Sequence, residues 1–279
     1  MKLTLGFSPC PNDTFIFDAL VNGKLDLGGL TIEPYIADVE ELNRLASRGE
    51  LELTKLSYHA FAHLADRYAL LHTGSALGKN CGPLLIARKP LSMAQINEGP
   101  VAIPGKLTTA NFLFSLAWPK ATNTREMVFS EIEDAVLQED VAAGLIIHEN
   151  RFTYAQKGLH RIMDLGAYWE QLTGMPIPLG GIAVRRDLPQ EVQKLVNNLV
   201  GQSVRHARQN PGQTLEYVSA HAQEMDPDVM KAHIQLYVND FTEYLGYTGT
   251  NAVKRLMAEA INRGIINPLP ESLSLFVRE

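Results

Sequence analysis

Short apolar runs alternate with amphipathic stretches over the first two-thirds of the chain, and this rhythm restricts the fold more than any other feature. Leu3–Phe7, Leu30–Ile36 and Leu51–Ser57 read as strands. Helical patterns over Asp13–Val21 and Val39–Ser47 separate them, and a short helix over Tyr58–Leu64 follows. Asn12 or Asp13 is predicted to cap the first helix. Strands joined through helices must run mostly parallel, because the crossover returns the chain to the same end of the sheet.

A second set of strands is predicted at Leu84–Ala87, Val101–Ile103, Met127–Phe129, Gly144–Ile147 and Ile182–Val184. Helices are predicted over Thr109–Ala117, near Ile132–Gln138 and near Tyr168–Leu172. Beyond Pro189 the pattern turns helical over Glu191–Gln209, Thr214–His221, Pro227–Leu245 and Asn251–Arg263, with Gly264 as the glycine that ends the last helix. The order implies two α/β lobes around a central cleft, the second inserted in the first. Lobe I comprises residues 1–88 and 186–279, and lobe II residues 89–185. The chain is expected to cross near Ala87–Pro90 and near Val184–Asp187.

A net charge of −6 argues against nucleic acid or an anionic membrane surface as the partner and leaves a small molecule. Two cysteines, Cys10 and Cys81, are too few for a disulfide framework or a Cys-rich metal site. Cys10 reads as a buried, inert thiol. The N-terminal apolar stretch is too short and interrupted for a secretory leader, and no run is apolar enough to span a bilayer. A cytoplasmic setting is expected. The oligomeric state is not written in the sequence.

Ligands of open α/β sheets bind beyond the carboxyl ends of the strands, so polar clusters after apolar runs are the candidate sites. His148 follows the run Leu145-Ile146-Ile147 and precedes Glu149-Asn150-Arg151. Histidine is the side chain best suited to move protons near neutrality. The alternative is a hydrogen-bonded histidine closing a strand.

Ser8-Pro9-Cys10-Pro11-Asn12-Asp13-Thr14 joins a strand to a helix start, where backbone N–H groups favour an anion. In Thr54-Lys55-Leu56-Ser57-Tyr58-His59, Lys55 and Ser57 offer donors, although alone they read as a solvated lysine and a helix cap. Pro104-Gly105-Lys106-Leu107-Thr108-Thr109-Ala110-Asn111 forms a cradle for an anion or hydroxyl. It is not a P-loop, since Leu107 follows Lys106, and no GxGxxG occurs. His59 and His63 have the spacing of a metal pair, but apolar neighbours and the lack of a third ligand favour a packed helix. No metal site is expected.

Three segments together resemble the signature segments of the 1,4-dihydroxy-6-naphthoate synthase family of the futalosine route to menaquinone. They are Ser8–Phe15, Thr54–Ala60 and Gly144–Glu149, and the resemblance extends over the chain, Pro104–Phe112 included. It implies a fold like the type II periplasmic binding proteins. It also implies a lyase that cleaves cyclic dehypoxanthine futalosine to 1,4-dihydroxy-6-naphthoate and dihydroxyacetone, without a cofactor. By the same resemblance His148 corresponds to the proton acceptor. Lys55, Leu56 and Ser57 match one substrate-binding segment, and Thr109 with Ala110 the other. Ser8, Asn12 and Asp13 are further candidates to line the cleft, and Asp13 and Glu149 are the alternatives to His148 as base. Ser57 and Thr109 are expected to face each other across it.

A non-catalytic solute-binding protein and a chorismate dehydratase of the same pathway share this architecture and remain the rival readings. A pyrimidine-precursor enzyme is disfavoured because its His-rich, Cys-bearing signature is missing.

Overall fold

Leu3, Leu5 and Phe7 alternate as a half-buried strand requires, and they anchor β1 (Lys2–Phe7) with almost no exposure. The computed structural model describes residues 1–222 and 226–278. Ten further strands follow: β2 (Thr31–Ile36), β3 (Leu53–Ser57), β4 (Tyr68–Leu70), β5 (Ala76–Gly78), β6 (Leu84–Ala87), β7 (Val101–Ile103), β8 (Thr124–Glu126), β9 (Ala143–Ile146), β10 (His160–Asp164) and β11 (Ile177–Arg185).

They build two sheets, and the chain divides into two compact units. One joins Met1–Gly78 to Pro178–Glu279, and the other spans Lys79–Ile177. The divisions therefore fall at Gly78/Lys79 and Ile177/Pro178, not near Ala87–Pro90 and Val184–Asp187. Strand pairing explains the shift. β6 pairs with β9 and β10 in the Lys79–Ile177 unit, whereas β11 pairs with β3 and β4 in the other.

In the first unit the strand order is β2-β1-β3-β11-β4, with β5 beside β11. β1 runs parallel to β2 and β3, as the βαβ rhythm predicts. β11 runs antiparallel to β3 and β4, so the sheet is mixed. Helices Pro11–Val21 and Gln190–Gln209 pack on it, and Leu3, Leu5, Phe7, Phe17, Ile182 and Val200 share one apolar cluster. Burying a side chain of this size contributes about 1.5–3 kcal/mol.

In the second unit the order is β10-β6-β9-β7-β8. β7 runs parallel to β8 and β9, while β6 is antiparallel to β9 and β10. Its core gathers Ile86, Ala102, Ile132, Val136 and Ile146. The glycine at 144 allows a close contact within it. A Cβ there would lie 2.4 Å from Ile132 Cγ2, so the helix over Ile132–Leu137 sits almost directly on the β9 backbone.

Several boundaries differ from the sequence expectation. Met127–Phe129 is not a strand: β8 ends at Glu126, and Phe129–Glu131 is a 3₁₀ turn that buries Phe129. The helix expected over Pro227–Leu245 is two, Pro227–Tyr237 and Asp240–Glu243, because the Asn239 side chain and Thr242 form a reciprocal cap that restarts the helix. The first helix begins at Pro11 and not Asp13. Proline is pre-set for the first helical position, so the cap position is Cys10, and neither Asn12 nor Asp13 caps. Gly264 follows the last helix with φ +68°, as its position predicts. Among the described residues no helix is long and apolar enough to cross a membrane.

Candidate active site

The first unit buries a polar cluster where β1 and β3 end. Asp13, one turn into the helix Pro11–Val21, is 1% exposed, and Lys55 on β3 is 6% exposed. Lys55 Nζ donates to Asp13 Oδ1 at 2.7 Å, and Asn12 Nδ2 donates to the same oxygen at 2.8 Å. Ser8 donates to Oδ2 twice, from Oγ at 2.7 Å and from its backbone N–H at 3.2 Å. Four donors thus saturate the Asp13 carboxylate. A proton could be accepted there only by breaking one of these bonds, so Asp13 is poorly arranged as a base. Its chemistry is to hold the Lys55 ammonium in place.

The solvated lysine that Lys55 suggests in isolation is overturned by this pairing. The β11 backbone makes room for it: Gly180 lies opposite Ser57, and a Cβ there would stand 3.0 Å from Lys55 Cε and 2.9 Å from Leu56 O. Lys55 and Ser57 occupy alternate positions of β3 and share one face, while Leu56, fully buried, points to the other. Leu56 therefore meets the polar cluster only through its backbone.

Ser57 sits at the cap position of the helix Tyr58–Leu64 but makes no side-chain cap bond. Its hydroxyl is held from another direction. Asn43, fully buried on the helix Val39–Arg48, accepts from the Ser57 N–H through Oδ1 at 3.1 Å. Its Nδ2 donates to Ser57 Oγ at 3.2 Å and to Glu40 Oε2 at 3.1 Å. Sequence reasoning passed over Asn43. The available signal was an amide among Val39, Leu42 and Ala46, on the buried stripe of an amphipathic helix.

In the second unit, Thr109 and Ala110 open the helix Thr109–Ala117, and both are buried. The cap is Thr108, whose Oγ1 accepts from the Asn111 N–H at 3.2 Å. The N–H groups of a first helical turn point along the axis out of the helix, giving a site for negative charge. The helix start predicted at Thr109 is therefore present, with Thr108 as its cap.

His148 lies past the end of β9, between that strand and a short helix at Asn150–Thr153. Its φ is +56°, in the left-handed region that only a few per cent of non-glycine residues adopt. The ring meets Phe129 edge-on at 5.0 Å between centroids. Such strain is retained where the surrounding structure enforces it, and it clusters at active sites. Glu149 beside it is 5% exposed. The His59 and His63 rings lie tilted to one another with centroids 5.2 Å apart on the packed helix expected for them.

Burial pushes the Cys81 thiol up to about 12, keeping it protonated at neutral pH. Cys10 is 2% exposed.

Comparison with known proteins places these residues in context. Residues 3–262 match a family model described as menaquinone biosynthesis. A 1,4-dihydroxy-6-naphthoate synthase of Thermus thermophilus is 49% identical over 272 residues, covering 97% of this chain and 98% of the relative. One from Streptomyces coelicolor is 43% identical over 279 residues and covers 98% of each chain. Among solved structures, a Candida albicans protein described as having the generic periplasmic binding protein fold superposes with a TM-score of 0.67. That match covers 97% of this chain and 92% of the other at 14% identity, and it shows the fold alone. The fold is that of the periplasmic binding proteins, and the chain belongs to the menaquinone biosynthesis family.

Proposed function

We propose that this protein is a carbon–carbon lyase that converts cyclic dehypoxanthine futalosine to 1,4-dihydroxy-6-naphthoate and dihydroxyacetone. The observation that carries this reading is the 49% identity to a 1,4-dihydroxy-6-naphthoate synthase over nearly the whole of both chains. In the proposed roles, His148 is the general base that starts the fragmentation. Lys55, Leu56 and Ser57 bind the substrate with side-chain and backbone groups, as do Thr109 and Ala110. Ser8, Asn12 and Asp13 hold Lys55 in position.

The chemistry suits this residue set. A carbon–carbon bond breaks as a ring becomes aromatic, so much of the driving force resides in the substrate. A base to take the first proton and donors for the developing oxyanion are what the protein must add. The position of His148, immediately past the carboxyl end of β9, supports its role, since that is where ligands of open α/β sheets bind. The substrate is a small molecule, no nucleic acid takes part, and the setting is cytoplasmic.

Incubation of the purified protein with cyclic dehypoxanthine futalosine, followed by the naphthoate absorbance, tests the reading. Appearance of the product at catalytic rates supports it. Turnover of chorismate instead, or binding without turnover, would assign the chain to one of the rival activities.

A further inference from the structure

We propose that Asn43 is a positioning residue that fixes the Ser57 hydroxyl as a hydrogen-bond donor, and so selects for an acceptor oxygen on the substrate. The inference rests on the reading of Ser57 as a substrate-binding residue.

The orientation of the amide follows from one bond. The Ser57 backbone N–H can only donate, so the Asn43 atom facing it at 3.1 Å is Oδ1. The other atom is therefore Nδ2, and its two hydrogens are both engaged, one on Glu40 Oε2 and one on Ser57 Oγ. Glu40 is itself buried, at 6% exposure, and as a carboxylate it can only accept. No rotation of the amide preserves this set.

Ser57 Oγ thus receives a hydrogen bond from inside the protein, and its own proton is directed elsewhere. Among the described residues no group accepts that proton, although Ser57 is only 4% exposed. A buried hydroxyl proton without an acceptor is costly, and a ligand oxygen would satisfy it. The substrate group met by Ser57 is then a carbonyl, hydroxyl or carboxylate oxygen, and not an N–H.

Reversing the polarity tests this. In Asn43→Asp both side-chain oxygens accept, so the Ser57 hydroxyl turns inward and no longer serves the substrate. The new carboxylate also faces Glu40, so the double variant Glu40→Gln/Asn43→Asp is the informative one: the amide introduced at position 40 donates to the carboxylate introduced at position 43 and restores the internal bonding. The expected result is a melting temperature near that of the parent, with KM for cyclic dehypoxanthine futalosine raised about tenfold, the effect of losing one such bond. Ser57→Ala should raise KM similarly, and adding the double variant to it should change little more.

Recovery of both melting temperature and KM in Glu40→Gln/Asn43→Asp would make Asn43 a purely structural residue and overturn the proposal. Unchanged KM and kcat in Ser57→Ala would instead remove the reading of Ser57, and the proposal with it. If the double variant does not fold, Asn43→Ala replaces it. Effects of Asn43→Ala and Ser57→Ala that multiply independently overturn the proposal, and a combined effect no larger than that of Ser57→Ala supports it.

Discussion

At the scale of single residues, His148 and Asp13 invite opposite substitutions. Asparagine is the non-glycine residue most at ease with positive φ, so His148→Asn suits the backbone at +56°. It should keep the melting temperature while lowering kcat about 10²–10⁴-fold, the usual loss of a general base. Near-parental turnover would move the role to another group. Asp13→Ala strips the partner from a lysine that is 6% exposed. Removing one member of a buried pair costs about 3–5 kcal/mol, which chemical denaturation would register as a lower midpoint. The candidate site is legible in the sequence only as polar segments that follow strands, which is how His148, Lys55 and Asp13 become candidates. What those residues do to one another is not, because the Lys55–Asp13 contact joins positions distant in the chain. Asn43 stayed hidden because one amide on a helix carries no motif.

At the scale of elements, strands made of an apolar run between turn or helix signals are legible in the sequence, and the others are not. β1, β3, β6 and β7 emerge from their apolar runs. β10 carries His160, Arg161 and Asp164, which break the apolar pattern, and no helical segment separates β4 from β5 to mark them off from the neighbouring loops. Strand direction was also out of reach. The apolar run of β11 carries no mark of polarity, and its reversal relative to β3 follows from where the chain re-enters the sheet. A close packing of one element on another lies at Gly144. Gly144→Ala would press a methyl against Ile132 at 2.4 Å and force the helix over Ile132–Leu137 away from β9. A loss of about 1–3 kcal/mol is expected from such overpacking, read as a lower midpoint in denaturant. A midpoint equal to the parent's would show that the helix can yield without cost.

At the scale of the whole molecule, burial sets an alkaline limit on stability. Burial raises the Cys81 thiol from 9.0 to about 12 and the Tyr68 phenol from 10.0 to about 12. Both groups are neutral when protonated, so above these ordinary values the unfolded chain releases protons that the folded chain retains. Stability is then fully present below about pH 9 and falls as pH rises toward 12. Melting temperatures measured from pH 8 to 11 should decline, and the Cys81→Ser variant should decline less steeply. A flat profile would mean that neither group is shielded in the folded protein. The placement of β11 bears, finally, on how the protein is made. β3, β4 and β5 all pair with a strand that leaves the ribosome only after the whole of Lys79–Ile177 has been translated. Until then a nascent chain carries open strand edges, which are templates for sticking to other chains. Premature termination anywhere before Arg185 should therefore yield an aggregating fragment that requires chaperones or proteolysis, and not a partial enzyme.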